Sequence, residues 1–396
     1  MSETTFSDRS WSISTWRSVA SLAFVSFALV SSELLPMGLL TPMARDIGVT
    51  EGAAGQAVTL TAIFAGLAAP TVALVVGRLD RKLIMLALCG LAIVSNVAVA
   101  LAWNYWIVLS ARMILGVAIG GFFALTGATI VRLVSMQGFG KGMAIVFAGI
   151  SAATIIAPPL SAVIGEAFGW RTAFIAAGGA GLVALLLQAF CLPSVPASGA
   201  TSLSTLFGLL TRPKVRVGLA AGLLIVGGHF VGFTFIRPYL ETGVALDAMA
   251  IAAVLLGFGV FNLIGNAIGG VTADRALRGG FSTIGLLLGV ATLGLVMLGT
   301  NFVSWGFAWG AAPVMIQTWM GRSAPDELEG VGGLFLAVLQ FAIALGAIAG
   351  GTAVDLYGVN TPLYMTALSG VLAAAIIGAQ RSSKVSAPAV ALAAAE

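Results

Sequence analysis

Residues 16–40 read WRSVASLAFVSFALVSSELLPMGLL. Between Arg17 and Glu33 no residue is charged, and the apolar side chains fall on every face rather than on alternate positions. A strand crossing a membrane alternates apolar and polar residues over about ten positions, whereas this run is continuous for about twice that length. It reads as a helix able to cross about 30 Å of hydrocarbon. Its polar start and the lack of a small-residue cleavage site predict a retained helix, not a signal peptide.

The pattern recurs along the chain. Further apolar runs fall near 53–76, 83–103, 106–131, 142–165, 172–192, 216–237, 248–272, 281–300, 302–320, 331–354 and 361–380. Only Asn301 and its neighbours separate the runs at 281–300 and 302–320. Composition agrees: of 396 residues, 59% are hydrophobic and 9% charged, against about a quarter charged in a soluble domain. Fifty-one glycines without a Gly-X-Y period argue for close helix packing. The small-residue pairs Gly116/Gly120 and Gly265/Gly269 mark such faces. The fold expected is an all-α membrane protein of twelve transmembrane helices.

Charge sets an orientation. Alternate connections and the two ends hold Arg9, Arg17, Arg78, Arg81, Lys82, Arg132, Lys141, Arg212, Lys214, Arg216, Arg275, Arg278, Arg322, Arg381 and Lys384, while the opposite loops hold Arg45, Arg171 and Arg237. Fifteen against three places both termini in the cytoplasm. Cys89 and Cys191 fall near cytoplasmic span ends, away from any periplasmic disulfide, and read as small packing residues. The longest connection, 193–215, carries Pro193, Pro196 and Pro213 and reads as the linker between an N-terminal unit, 1–192, and a C-terminal unit, 216–396.

These units repeat. Pro42, Gly48 and Asp80-Arg81 are matched by Pro238, Gly243 and Asp274-Arg275 at offsets of 196, 195 and 194. Arg132, Glu166 and Gly169 are matched by Arg322, Asp355 and Gly358 at 190, 189 and 189. Two pseudo-symmetric six-helix bundles follow, with a substrate site between them that opens to either side as they rock. A chain containing both halves of its pathway is expected to work as a monomer.

Within the spans, ionisable residues are costly and mark function. Glu33 is the candidate protonation site. Arg112 lies at a similar expected depth, about 9–10 Å from the same surface, and is expected either to meet Glu33 or to brace the first and fourth spans through backbone carbonyls. His229, the single histidine, matches Glu33 at the 196 offset and is expected to bind substrate or share protons. Neutral polar groups in the spans are Asn96, Thr126, Asn262, Asn266, Gln317 and Gln340, and aromatic faces come from Phe122, Phe123, Phe230, Phe233, Phe258, Trp309 and Trp319. From these, the expected substrate set is Phe122, Phe123, His229, Phe233, Asn262, Asn266, Trp309 and Gln317. The Asn262/Asn266 spacing puts both amides on one helix face.

Other chemistries lack their residues. Gly138-Phe139-Gly140-Lys141-Gly142 has neither the leading Gly nor the trailing Ser/Thr of a phosphate loop. One histidine and two distant cysteines give no metal-ligand spacing, and no nucleophile–base motif or carboxylate pair accompanies Glu33, which disfavours a polytopic membrane enzyme. No metal, cofactor or nucleic-acid partner is expected.

Gly77-Arg78-Leu79-Asp80-Arg81-Lys82 and Arg112 with Gly116, Gly120 and Gly121 resemble motifs of the major facilitator superfamily and its proton-driven twelve-helix exporters. Gly149 and Pro158-Pro159-Leu160 stand where antiporters carry their Gly/Pro motif, without its trailing double glycine. A narrower resemblance, to bacterial purine ribonucleoside efflux permeases with the arabinose-type sugar efflux permeases nearby, rests on Glu33-Leu34-Leu35-Pro36, Leu39-Leu40-Thr41-Pro42-Met43-Ala44, Gly55-Gln56, Gly120-Gly121-Phe122, Phe233-Thr234-Phe235-Ile236-Arg237-Pro238 and Thr318-Trp319. It implies proton-coupled export of a purine ribonucleoside across the bacterial inner membrane, with a sugar or drug as the alternative cargo. It also implies gating charges at Arg78, Asp80, Arg81, Asp274 and Arg275.

Overall fold

The computed structural model describes residues 11–75, 79–196, 208–299 and 301–380. Helix α1 spans Ile13–Ile47; the Ser12 hydroxyl accepts from the Thr15 N–H to start it, and Gly48 ends it at φ 75°, where only glycine sits without strain. Its 35 residues reach about 52 Å at 1.5 Å each, seven residues beyond the expected end at Leu40. Helices α2 (Glu51–Val75) and α3 (Arg81–Ala100) follow. One hydrogen-bonded helix, Tyr105–Phe168, contains two spans, α4 (Tyr105–Val134) and α5 (Lys141–Phe168); α6 is Trp170–Cys191.

The second half begins with α7, Pro213–Phe233, three residues before its expected start. Its continuation is broken: a short turn at Ile236–Pro238 runs into a π-helical turn at Tyr239–Gly243. Helices α8 (Ala248–Ala273) and α9 (Arg275–Leu298) are joined at Ala276, whose φ and ψ of −148° and 54° make the corner. The doubtful boundary at Asn301 is real, since Gly299 and Asn301 both adopt positive φ before α10, Phe302–Ser323. Helices α11 (Leu328–Tyr357) and α12 (Thr361–Gly378) complete the described chain. Among the described residues, eleven helices are apolar and long enough to cross a membrane. The twelfth, α10, falls short because Trp305, Trp309, Gln317 and Trp319 dilute its hydropathy.

The glycine pairs make internal contacts that repeat between halves. A side chain at Gly116 or Gly120 would collide with the Thr61 and Ala65 carbonyls of α2, and one at Gly265 or Gly269 with the Phe307 and Ala311 backbone of α10. The α2–α4 contact thus has its counterpart in α8–α10.

Polar contacts between the halves gather at one end of the bundle, called here the acidic face for Asp46, Glu51, Glu166, Glu241, Asp247 and Asp355. There Asp355 of α11 accepts from the Gly52 N–H at 3.0 Å and the Thr50 hydroxyl at 2.8 Å, capping α2 from the other half. Arg45 pairs with Glu241 at 3.1 Å, Phe235 fills the space left by Gly55, and Gly259 of α8 packs on Ile155 of α5. At the opposite, basic face, the polar contacts among the described residues do not join the first unit to the second: Asp80 bonds Ser194 and Val195 at one end of the linker, Arg212 at its other end pairs with Asp326, and Lys141 lies over Trp11 and Trp16. The halves are closed on the acidic face.

Candidate functional site

The centre of the first half is built on a proline. Pro36 has no N–H to donate to the Ser32 carbonyl one turn earlier, so that acceptor is free inside α1. Arg112 of α4, with no exposed surface, takes it: Nη1 donates to Ser32 O at 2.8 Å, Nη2 to Glu33 O at 3.1 Å and Nε to the Ala57 carbonyl of α2 at 3.4 Å. Asn96 of α3 adds a bond to the Ser32 hydroxyl at 2.8 Å. Of the two expected roles for Arg112, the geometry draws the brace, and no side-chain ion pair joins it to Glu33. The Glu33 carboxyl is buried, its Oε1 has no hydrogen-bond partner, and it stands beside the Gln340 amide of α11, whose Nε2 is also without one. A titratable side chain and an amide thus face each other across the two halves.

The centre of the second half is aromatic. His229, 1% exposed, accepts at Nδ1 from the Trp305 indole N–H at 3.1 Å, which leaves the ring proton on Nε2. Trp309 stacks on it at 3.7 Å with the rings 4° apart; Phe233 and Phe258 lie at 4.8 and 6.0 Å, and Phe230 meets it edge-on. The structure therefore brings together His229, Phe233 and Trp309 from the expected substrate set. Asn262 is buried one turn from Phe258, where α8 touches Gly310, and Asn266 is half-buried on the next turn. Gln317 is exposed. Phe122 lies wholly inside the first half's own core with Leu88 and Leu115, and Phe123 meets it edge-on at 5.4 Å.

The sequence profile of the Major Facilitator Superfamily matches residues 20–345. The chain belongs to that superfamily. It is 37% identical over 374 residues to the transcription regulatory protein OpdE of Pseudomonas aeruginosa, covering 91% of this chain and 92% of that one. It is 33% identical over 372 residues to the purine ribonucleoside efflux pump NepI of Salmonella enteritidis, covering 92% and 94%. In fold it is similar, at a TM-score of 0.75 and 12% identity, to the crystal structure of a bacterial homolog of the human lysosomal transporter Spinster, with 93% and 97% covered. This is a multi-pass transporter of the major facilitator fold.

Of the charges expected to gate this superfamily member, Arg78 and the side chain of Asp274 lie outside the described residues. Asp80 caps α3 through the Lys82 N–H at 2.8 Å and accepts from the Ser194 hydroxyl and the Val195 N–H. These bonds, Ser194 foremost, hold its carboxyl below the usual range. Arg81 is buried beside it and Arg275 is exposed. Asp80 thus ties the α2–α3 loop to the chain leaving α6 rather than to the other half.

Sequence reading counted Arg237 among loop charges, but it is 4% exposed and donates across the halves to the Gly38 carbonyl. The signal for it lay in the proline spacing: Pro42 frees the Gly38 carbonyl as Pro36 frees that of Ser32. Trp305 was also missed, and no spacing in the sequence marks it.

Proposed function

We propose that the protein is a proton-coupled antiporter that exports purine ribonucleosides or related purines across the bacterial inner membrane by alternating access. The observation that carries this reading is the buried Glu33 carboxyl, unpartnered at Oε1 and facing Gln340 of the opposite half. When the halves part, that carboxyl exchanges an amide for water. Its affinity for a proton therefore changes with the conformation of the bundle. Protons and cargo are coupled through the one element both must move.

The cargo assignment is supported by the relative named as a purine ribonucleoside efflux pump and by the aromatic second half. A neutral nucleoside needs a flat apolar partner for its base and neutral hydrogen-bonding groups for base and ribose, without a counter-charge. Trp309 and Phe233 offer the first, and Asn262 and Asn266 the second. His229 stacks on Trp309 and Phe233. The basic-residue excess puts both termini and the basic face in the cytoplasm, with residues 193–215 linking two units, 1–192 and 216–396. The closed acidic face is then periplasmic, and the protein works as a monomer.

The test is counterflow in proteoliposomes. Vesicles preloaded with unlabelled inosine should accumulate labelled inosine and guanosine, recovered chemically unchanged. Counterflow of arabinose or a lipophilic drug with none of any purine nucleoside would transfer the assignment to the sugar or drug reading. Chemical conversion of the label would point to an enzyme.

A further inference from the structure

Helix α1 carries two internal prolines, and each frees one carbonyl. Ser32 O is taken by Arg112, from α4 of the same half. Gly38 O is taken by Arg237, from the broken stretch after α7 in the other half. The first bond persists whatever the halves do relative to one another, whereas the second exists only while they are together at the acidic face. We infer that the Gly38 carbonyl, freed by Pro42, is the socket into which Arg237 locks to hold the acidic face closed.

The surroundings fit a bond made and broken in each cycle. The π-helical turn at Tyr239–Gly243 and the irregular bonds at Thr234 and Phe235 interrupt the helix, which lets the Arg237 side chain reach α1. Gly38 has no side chain to obstruct it and packs directly on Ser161 and Pro158 of α5, so the socket is fixed in the first half. Glu241, one turn beyond on the same segment, has Oε2 3.5 Å from Arg237 Nε. The guanidinium keeps a counter-charge when it leaves the carbonyl, and opening does not strand an unpaired ion. Glu241 also reaches Arg45 of α1, and Asp355 caps α2 nearby, so the Arg237 bond acts with these contacts in closing this face.

An unusual consequence makes the inference testable. Replacing Pro42 with alanine gives Gly38 a partner within its own helix, so a change in α1 that never touches Arg237 should open the gate. Spin labels at Phe168 and Tyr357, which are 74% and 75% exposed on opposite halves of this face, would report the separation in full-length protein with Cys89 and Cys191 replaced by alanine. Pulsed electron–electron distance measurement should show the open-to-closed ratio rising about five-fold in Pro42→Ala, the loss of one such hydrogen bond. Arg237→Gln should shift it the same way. The double variant should match the larger single effect, because both changes remove one bond. A Pro42→Ala distribution identical to the parent, or two shifts that multiply in the double variant, would overturn the inference. Neither outcome depends on which solute the protein carries, so the cargo assignment stands or falls separately.

Discussion

Arg112 of α4 and Trp305 of α10 stand on corresponding helices of the two halves. Each reaches the leading helix of its half. Arg112 grips main-chain carbonyls of α1, and Trp305 donates to the His229 side chain of α7. The cause of the difference is local. Pro36 leaves α1 with a free carbonyl in its middle, and a buried cation can satisfy it; α7 has no proline beyond Pro213 at its start and frees no acceptor there. At its centre one half therefore carries buried charges and the other a neutral aromatic cage. The comparison teaches that a repeated backbone can separate two tasks, with the ionisable chemistry suited to protons on one side and flat apolar surface suited to a base on the other.

The largest effect should come from breaking the charged brace. Arg112→Ala leaves the Ser32 carbonyl buried without a donor and should cost about 2–4 kcal/mol of stability, read as a large drop in thermal unfolding temperature in detergent. Lysine keeps the charge, but its compact ammonium lacks the planar fork that spreads donors over carbonyls of two helices, and it should recover only part of the loss. An Arg112→Ala protein as stable as the parent would mean that the brace is not structural. The aromatic counterpart should cost less: Trp305→Phe keeps an aromatic ring but removes the indole N–H and the atoms of its five-membered ring, worth about 1–2 kcal/mol. Equal losses in the two variants would erase the contrast between the halves.

How far the sequence led follows from what each residue needs. The twelve helices were legible because an apolar run satisfies its own backbone bonds and needs no partner to declare itself. Glu33, Arg112 and His229 stood out because ionisable groups in such runs are rare. What they touch was not legible, since Glu33 and Arg112 share a depth without sharing an ion pair. The brace depended on combining Pro36 with Arg112 across 76 positions. Phe122 is as buried as Phe258 and Trp305 of the cage, and only the packing tells a core ring from a candidate cargo ring. The gating charges repeat between the halves, but their partners were not legible: Asp80 bonds to Ser194 and Val195 at the start of the linker.

The smallest effect sharpens that last point. Because its folded carboxyl titrates below the ordinary 3.8, Asp80 adds stability above that pH, and the contribution is lost as the pH falls through the lower folded value. Asparagine keeps the helix cap and removes the charge. Asp80→Asn should therefore flatten the acid side of the stability profile below pH 3.8 and leave neutral stability slightly reduced. Asp326, drawn down to about 2 by Arg212, should behave likewise at the other loop. A profile unchanged by Asp80→Asn would show that its bonds to Ser194 and Val195 contribute nothing.

The central claim is that Glu33 carries the proton that drives export. The direct measurement is inosine accumulation in proteoliposomes under an imposed pH gradient, comparing the parent with Glu33→Gln, which matches the carboxyl in size and hydrogen-bonding capacity but does not titrate. The account predicts that Glu33→Gln loses gradient-driven accumulation while retaining nucleoside counterflow in the absence of a gradient. Full gradient-driven accumulation by Glu33→Gln would contradict it.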